Sequence, residues 1–127
     1  MAFSSADELP IFAPAAERPI DLVHLSRVAF GDRALEREVL SLFLRQSAIQ
    51  LDRLKEARTP QSFGVAAHTL KGSALGIGAQ QIAVLAAEAE RLADKHDTAE
   101  AFEVLARLEA RIAESHLYIS HLLAGGH

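Results

Sequence analysis

Residues 67–79 read Ala67-His68-Thr69-Leu70-Lys71-Gly72-Ser73-Ala74-Leu75-Gly76-Ile77-Gly78-Ala79, and the pattern in and around them decides the fold. Apolar or small residues recur here at spacings of three and four, which predicts an amphipathic helix; they are Phe63, Ala66, Leu70, Ser73 and Ile77. At 3.6 residues per turn, His68 lies about 200° around this helix from both Ala66 and Leu70. The pattern therefore predicts an imidazole on the solvent side of a helix whose other side is core.

Two glycines, Gly64 and Gly72, lie one helical turn before and after His68. Each glycine inside a helix costs about 1 kcal/mol relative to alanine, so we expect that the open space beside the ring is needed. Lys71, three residues on, places an ammonium near the imidazole. These features indicate a histidine that is reversibly phosphorylated by a docking protein. Spacing alone leaves open a plain surface histidine in a helix rich in Ala and Gly.

The segment from His68 to Ala74, followed by Gly78-Ala79, resembles the signature of histidine-containing phosphotransfer (HPt) domains, H-x-L-K-G-[SA]-[SA]-x-x-[LIF]-G-A. The flanks fit the layout of that family over residues 20–123: Ile20-Asp21-Leu22, then Gly31-Asp32 before a long helix, then a helix rich in Leu, Ala and Glu. Gly76 departs from the family, in which many members have Asn or another polar residue near this helix end.

The resemblance implies a role for each matching residue. His68 would be phosphorylated on the ring nitrogen farther from the backbone, Lys71 would offset the phosphate charge, and Gly72 would leave room for the partner. Glu90, 22 residues after His68, would orient the imidazole or Lys71; the alternative is a solvated surface glutamate. Leu75 would form an apolar rim for docking, or be partly buried.

The resemblance also implies the partners. The phosphoryl group would come from an aspartyl phosphate on the receiver domain of a hybrid histidine kinase and pass to the receiver of a response regulator. Mg²⁺ would belong to the receiver, and we expect no cofactor in this chain. Its sequence has no Gly-rich phosphate loop, so we expect a phosphoryl carrier rather than an ATP-consuming enzyme. The alternative is a non-catalytic helical bundle that binds and modulates a kinase or receiver.

Composition limits the other possibilities. The chain has 127 residues, which predicts one domain, and it has no cysteine, which excludes disulfides and thiol catalysis. A net charge of −4 without a basic stripe argues against nucleic acid as a partner. There is no apolar run long enough for a membrane span and no secretory leader, so we expect a cytoplasmic protein that does not bind membranes. We also expect a monomer. His116 and His121 are five residues apart, a spacing that does not favour a helical metal site.

The periodicity predicts an all-α, antiparallel up-down-up-down four-helix bundle over residues 20–124, with a short additional N-terminal helix. Residues 1–19 contain Pro10, Pro14 and Pro19 and are expected to form an extended or mobile arm. The helix boundaries follow from capping residues; these are Asp21, Asp32, Thr59-Pro60, Gly76 to Gly78, Asp97 and Gly125-Gly126.

The sequence also predicts which side chains of the second and the last helix are buried. In the second helix, Gln46, Ser47 and Gln50 interrupt the apolar face, and we expect them to face solvent; the alternative is that they line the rim of a neighbouring site. The last helix is expected to bury a stripe at steps of three and four; its members are Phe102, Leu105, Leu108, Ile112, Ser115, Ile119 and Leu122.

Overall fold

The computed structural model describes residues 18–125, and within this range all regular structure is helical. The helices are α1 (Leu22–Val28), α2 (Arg33–Glu56), α3 (Pro60–Ile77), α4 (Gln80–Asp94) and α5 (Thr98–Ala124). The expected arm lies outside the described residues, apart from Arg18 and Pro19. Pro19 is buried, as is Ile20 beside it, so these two residues pack with the bundle.

The helix ends are fixed by the capping residues that the sequence predicts. The carboxylates of Asp21, Asp32 and Asp97 accept backbone N–H bonds at the starts of α1, α2 and α5. Thr59 and Ser62 form a capping box before α3, with Pro60 as its first residue. Gly78 ends α3 in the left-handed conformation, at φ 82°. These caps leave connections of only a few residues between successive helices.

The four long helices enclose one hydrophobic core. Each packs against the next along the chain, and α2 also packs against α5, while α1 packs against α3. Small side chains allow α3 and α4 to approach closely; the buried alanines are Ala66, Ala67, Ala74, Ala83, Ala86, Ala89 and Ala93. Leucines and isoleucines fill the remaining space around Tyr118, the largest fully buried side chain. One side of α3 is thereby fixed in the core, and its other side faces outward.

The structure corrects the expected burial in α2. Ser47 and Gln50 are buried, not solvent-exposed, while Gln46 is half-buried. The reason is that Phe43, Ser47 and Gln50 follow one another at steps of four and three and so share the core face. The hydroxyl of Ser47 donates to the carbonyl of Phe43 at 2.6 Å, which satisfies its hydrogen-bonding need inside the bundle.

In α5, the prediction that Phe102 belongs to the core is wrong, because this residue is 68% exposed. On a helix of 3.6 residues per turn, a step of three residues falls about 60° short of a full turn. Two such steps separate Phe102 from Leu108, so the two side chains point about 120° apart around the helix axis. Val104 is buried there instead, with Ala101 and Leu105 partly buried around it. The remaining members of the predicted stripe are buried or partly buried.

Candidate functional site

His68 lies near the middle of α3 on the side away from the core. Ala66, Ala67 and Leu70, its close neighbours in sequence, are buried and fix the helix against the bundle. The side chain of His68 is 67% exposed. The fold therefore presents this imidazole outward from a rigid helix, which is a more accurate platform than a loop.

Glu90, on α4, contacts both functional candidates on α3. Its Oε2 lies 2.9 Å from Nδ1 of His68, and its Oε1 accepts a hydrogen bond of 2.9 Å from Nζ of Lys71. The side chains of Lys71 and Glu90 are 30% and 29% exposed, so the pair is partly shielded beneath the more exposed ring. The structure thus brings together His68, Lys71 and Glu90 across the interface of α3 and α4.

The surroundings of Glu90 favour its charged form. The hydrogen bond from Lys71 lowers the pKa of the Glu90 carboxyl, the hydrogen bond from His68 lowers it further, and partial burial opposes both effects. An ionised carboxylate only accepts hydrogen bonds, so Nδ1 of His68 must be the donor. In the neutral imidazole the lone pair then resides on Nε2, which has no hydrogen-bond partner among residues 18–125.

The two flanking glycines have different surroundings. A Cβ added at Gly72 would meet nothing within 4 Å, so the space on that side of the ring is open. A Cβ added at Gly64 would lie 3.5 Å from the Cβ of Ala93, an ordinary packing contact with α4. Gly64 therefore faces the neighbouring helix, and the clearance beside His68 comes from Gly72. Leu75, about two turns after His68 on the same side, is 51% exposed.

The C-terminal end of α3 is attached to α1. The backbone N–H of Asp21 donates to the carbonyl of Gly78 at 3.0 Å, and Nε2 of His24 lies 3.2 Å from the carbonyl oxygen of Gly76. A Cβ on Gly78 would lie 3.1 Å from the Cβ of Asp21, so the close approach of α1 as well as the positive φ favours glycine here. The departure at Gly76 is therefore accommodated, because α1 supplies the contact at this helix end.

His116 has a structural partner that the sequence did not reveal. Its Nε2 lies 2.8 Å from Oγ of Ser47, which joins α5 to α2 within the bundle. Burial lowers the pKa of His116. Over residues 18–125, no three His, Asp or Glu side chains are grouped so that they could hold a metal ion.

The family model described as the Hpt domain matches residues 38–116, which is more than half of the chain and includes α3 and Glu90. The chain therefore belongs to the Hpt domain family. Hpt domains are helical phosphocarrier modules that take part in phosphorelays through a histidine and interact with receiver domains.

Neither the search of curated proteins nor the search of solved structures found a match. Among the helices of residues 18–125, none combines the length and the apolar character that crossing a membrane would need.

Proposed function

We propose that this chain is a phosphorelay carrier in which His68 accepts a phosphoryl group from an aspartyl phosphate and passes it to a second aspartate. Donor and acceptor would be receiver domains, one from a hybrid histidine kinase and one from a response regulator. Family membership supports the general activity, and the residues of the site carry the specific assignment. The observation that supports it most is that Glu90 contacts Nδ1 of the exposed His68, while Nε2 has no hydrogen-bond partner within the described part of the chain.

The transfer is a displacement at phosphorus. The Nε2 lone pair of His68 attacks the phosphorus of the receiver's aspartyl phosphate, forming an N–P bond as the P–O bond to the aspartate breaks. The aspartate leaves as a carboxylate, and the proton on Nδ1 stays in place. The ring gains positive charge in this step, and Glu90 at 2.9 Å stabilises it. The second transfer reverses these events on another receiver.

Lys71 would stabilise the phosphorylated state. Its ammonium is three residues from His68 on α3 and is held by Glu90 in the unphosphorylated protein. A phosphoryl group adds about two negative charges near the ring, and the flexible lysine stem would allow Nζ to reach toward them. Mg²⁺, bound by the receiver, would supply the remaining charge neutralisation during transfer.

Gly72 would give the partner access to the ring. The reacting nitrogen and phosphorus must approach to about 3 Å before the bond forms, which requires close contact between two protein surfaces. A side chain at position 72 would project into the space that is open in this structure. We therefore assign the unfavourable glycine in mid-helix to docking.

We also propose an alternating up-and-down course for the four long helices. Consecutive helices pack against each other, and the connections between them are only a few residues long. A short connection between adjacent helices favours an antiparallel pair. This arrangement would leave α3 with α2 on one side and α4 on the other, so a receiver could contact the ring from outside the bundle.

A phosphotransfer assay tests the proposal. Receiver domains from the genome that encodes this chain are charged with acetyl phosphate and Mg²⁺, then mixed with the wild-type chain and with His68→Gln. We expect at least one receiver to label the wild-type chain with acid-labile, alkali-stable phosphate and to leave His68→Gln unlabelled. Labelling of the variant would contradict the assignment. Binding to a receiver without labelling of either protein would favour the non-catalytic interaction module.

A further inference from the structure

A cavity of about 240 Å³ lies where α2 passes into α3 and α4 passes into α5. All four long helices contribute to its apolar walls, which include Leu54, Phe63, Leu92, Phe102 and Leu105. Leu54 and Leu92 are buried, and Phe63 and Leu105 are partly buried against the core. The cavity is therefore continuous with the hydrophobic core, and we call it the end cavity.

The end cavity is separate from the site around His68. Among residues 18–125, those that line the cavity do not include His68, Lys71 or Glu90. Phe63 precedes His68 by five residues on α3, which is a rise of about 7.5 Å along the helix. The phosphotransfer that we propose for His68 therefore gives no account of this cavity.

The volume of the end cavity limits the size of a ligand. An apolar cavity of about 150 Å³ can hold a benzene molecule, whereas pockets for drug-sized ligands have volumes of about 300–1,000 Å³. The end cavity, at about 240 Å³, lies between these values. It is therefore suited to one aromatic ring with a short substituent.

Two phenylalanines line the cavity, one on α3 and one on α5. Phe63 is partly buried, while Phe102 lines the cavity and is 68% exposed, so folding leaves most of this ring in contact with water. A guest that covered the ring would remove apolar surface from water. Aromatic rings also attract one another in offset or edge-to-face arrangements, so the two side chains favour an aromatic guest.

The charges that line the cavity include one cation without a partner in residues 18–125. Lys55 pairs with Glu109 of α5, and the carboxylate of Asp97 accepts the backbone N–H of Glu100 at the start of α5. The guanidinium of the exposed Arg58 has no hydrogen bond or ion pair in that range. A guanidinium offers paired N–H donors that match the two oxygens of a carboxylate.

Other titratable residues near Arg58 are compatible with an anion. His96 is exposed and also lines the cavity. Glu56 lines a neighbouring groove that Arg58 borders as well, and no ion pair joins these two residues. The lining of the end cavity thus has Lys55, Arg58 and His96 against the carboxylate of Asp97, which is engaged at the start of α5. This balance favours a negatively charged ligand.

We propose that the end cavity binds a small aromatic carboxylate, with its ring against Phe63 and Phe102 and its carboxylate on the guanidinium of Arg58. The binding is non-covalent and does not depend on phosphorylation of His68. Because the lining comes from all four long helices, the ligand binds the folded chain and stabilises it against unfolding.

Binding of 4-fluorophenylacetate to the full chain tests the proposal. Its affinity is measured by ¹⁹F NMR, and the site is located by ¹H–¹⁵N NMR of the protein. We expect saturable binding with a dissociation constant of about 1 mM or below, and shift changes centred on the lining of the end cavity. The uncharged 4-fluorophenylacetamide should bind about three- to tenfold more weakly. Decanoate, an aliphatic carboxylate, should also bind more weakly.

Two substitutions in the cavity separate the contributions of charge and ring. Arg58→Gln and Phe102→Ala should each weaken binding of 4-fluorophenylacetate about three- to tenfold. The matched controls are Arg107→Gln and Phe30→Ala, the same changes at exposed residues that do not line the cavity. The controls should leave the affinity unchanged. All four positions are exposed, so we expect the variants to fold.

Several results would overturn the proposal. The first is a lack of saturable binding, or shift changes centred elsewhere on the protein. Equal affinities for the acetate and the amide would show that the cation has no role, and tighter binding of decanoate would assign the cavity to aliphatic acids. Self-association in sedimentation that Phe102→Ala abolishes would show that the occupant is a second copy. None of these results would affect the phosphotransfer function.

Discussion

The carboxylate of Glu90 bridges two residues of the neighbouring helix, with one oxygen 2.9 Å from Nδ1 of His68 and the other 2.9 Å from Nζ of Lys71. A single acidic side chain on α4 thereby contacts both the imidazole ring and the nearest ammonium group. Because both contacts cross the interface of α3 and α4, the geometry of the site depends on how these two helices pack.

Replacing Glu90 tests whether this bridge positions the nucleophile. Glu90→Ala removes the acceptor of the Nδ1 proton and the charge that stabilises the ring, so we expect transfer to slow by about ten- to a hundredfold. The ¹⁵N chemical shifts of the His68 ring should show that the proton is no longer held on Nδ1. Glu88→Ala, the same change two residues away at a glutamate paired with Arg91 on the surface, is the matched control. An unaltered tautomer and rate in Glu90→Ala would refute the positioning role.

A substitution at Gly72 is expected to affect protein stability and receiver docking in opposite directions. Gly72→Gln adds a side chain in open space and removes a helix-disfavouring glycine, so we expect the free energy of unfolding to rise by up to about 1 kcal/mol. The same side chain should obstruct the receiver and slow phosphotransfer at least about tenfold. Thermal unfolding and transfer kinetics measure the two effects. Gly64→Ala, which faces α4, is the control, and rapid transfer in Gly72→Gln would show that the clearance has no role in docking.

Replacing the buried side chain of Gln50 by an apolar one is expected to stabilise the fold. Its Oε1 is buried and has no hydrogen-bond partner in the range 18–125, and such an atom costs about 1–3 kcal/mol of desolvation. Gln50→Met keeps a similar shape and removes the polar atom, so we expect an increase of about 1 kcal/mol in the free energy of unfolding, measured by denaturant titration. Gln46→Met, in the half-buried position one turn earlier, is the comparison. A loss of stability in Gln50→Met would show that its amide is satisfied in solution.

His116 predicts a pH dependence of stability. Burial lowers its pKa below the ordinary 6.5 in the folded state, so the unfolded chain binds a proton first as the pH falls. Its contribution to stability should be complete above pH 6.5 and should be lost as the pH drops from there through the folded pKa. His116→Gln should reduce the slope of unfolding free energy in this window, with the exposed His121→Gln as control. If the unfolding free energy of His116→Gln depended on pH as steeply as that of the wild-type chain, His116 would not be the source of this pH dependence.

The capping residues made the helix boundaries predictable from sequence. Asp32, Thr59 and Asp97 each begin the helix that the pattern assigned to them, because a cap is a local interaction between a side chain and the next few backbone N–H groups. Burial within a helix was harder to predict. Ser47 and Gln50 lie on the core face of α2 despite their polarity, and Ser47 is tolerated because it bonds to Phe43 and His116, the latter 69 residues away.

The sequence predicted the position of some residues of the candidate site better than that of others. The outward direction of His68 follows from helical spacing alone, since the core residues of α3 fix the opposite side. The contact of Glu90 depends on how α4 packs against α3, which spacing within one helix cannot show. The difference between Gly64 and Gly72 depends on the same packing, since Ala93 approaches only the former.

Direct identification of the phosphorylated atom tests the central claim. The chain is incubated with an acetyl phosphate-charged receiver, and the labelled product is analysed by ³¹P and ¹⁵N NMR. We predict one phosphorus bonded to Nε2 of His68, with Nδ1 still protonated and hydrogen-bonded to Glu90. Phosphate on another residue, or on Nδ1 of His68, would contradict it.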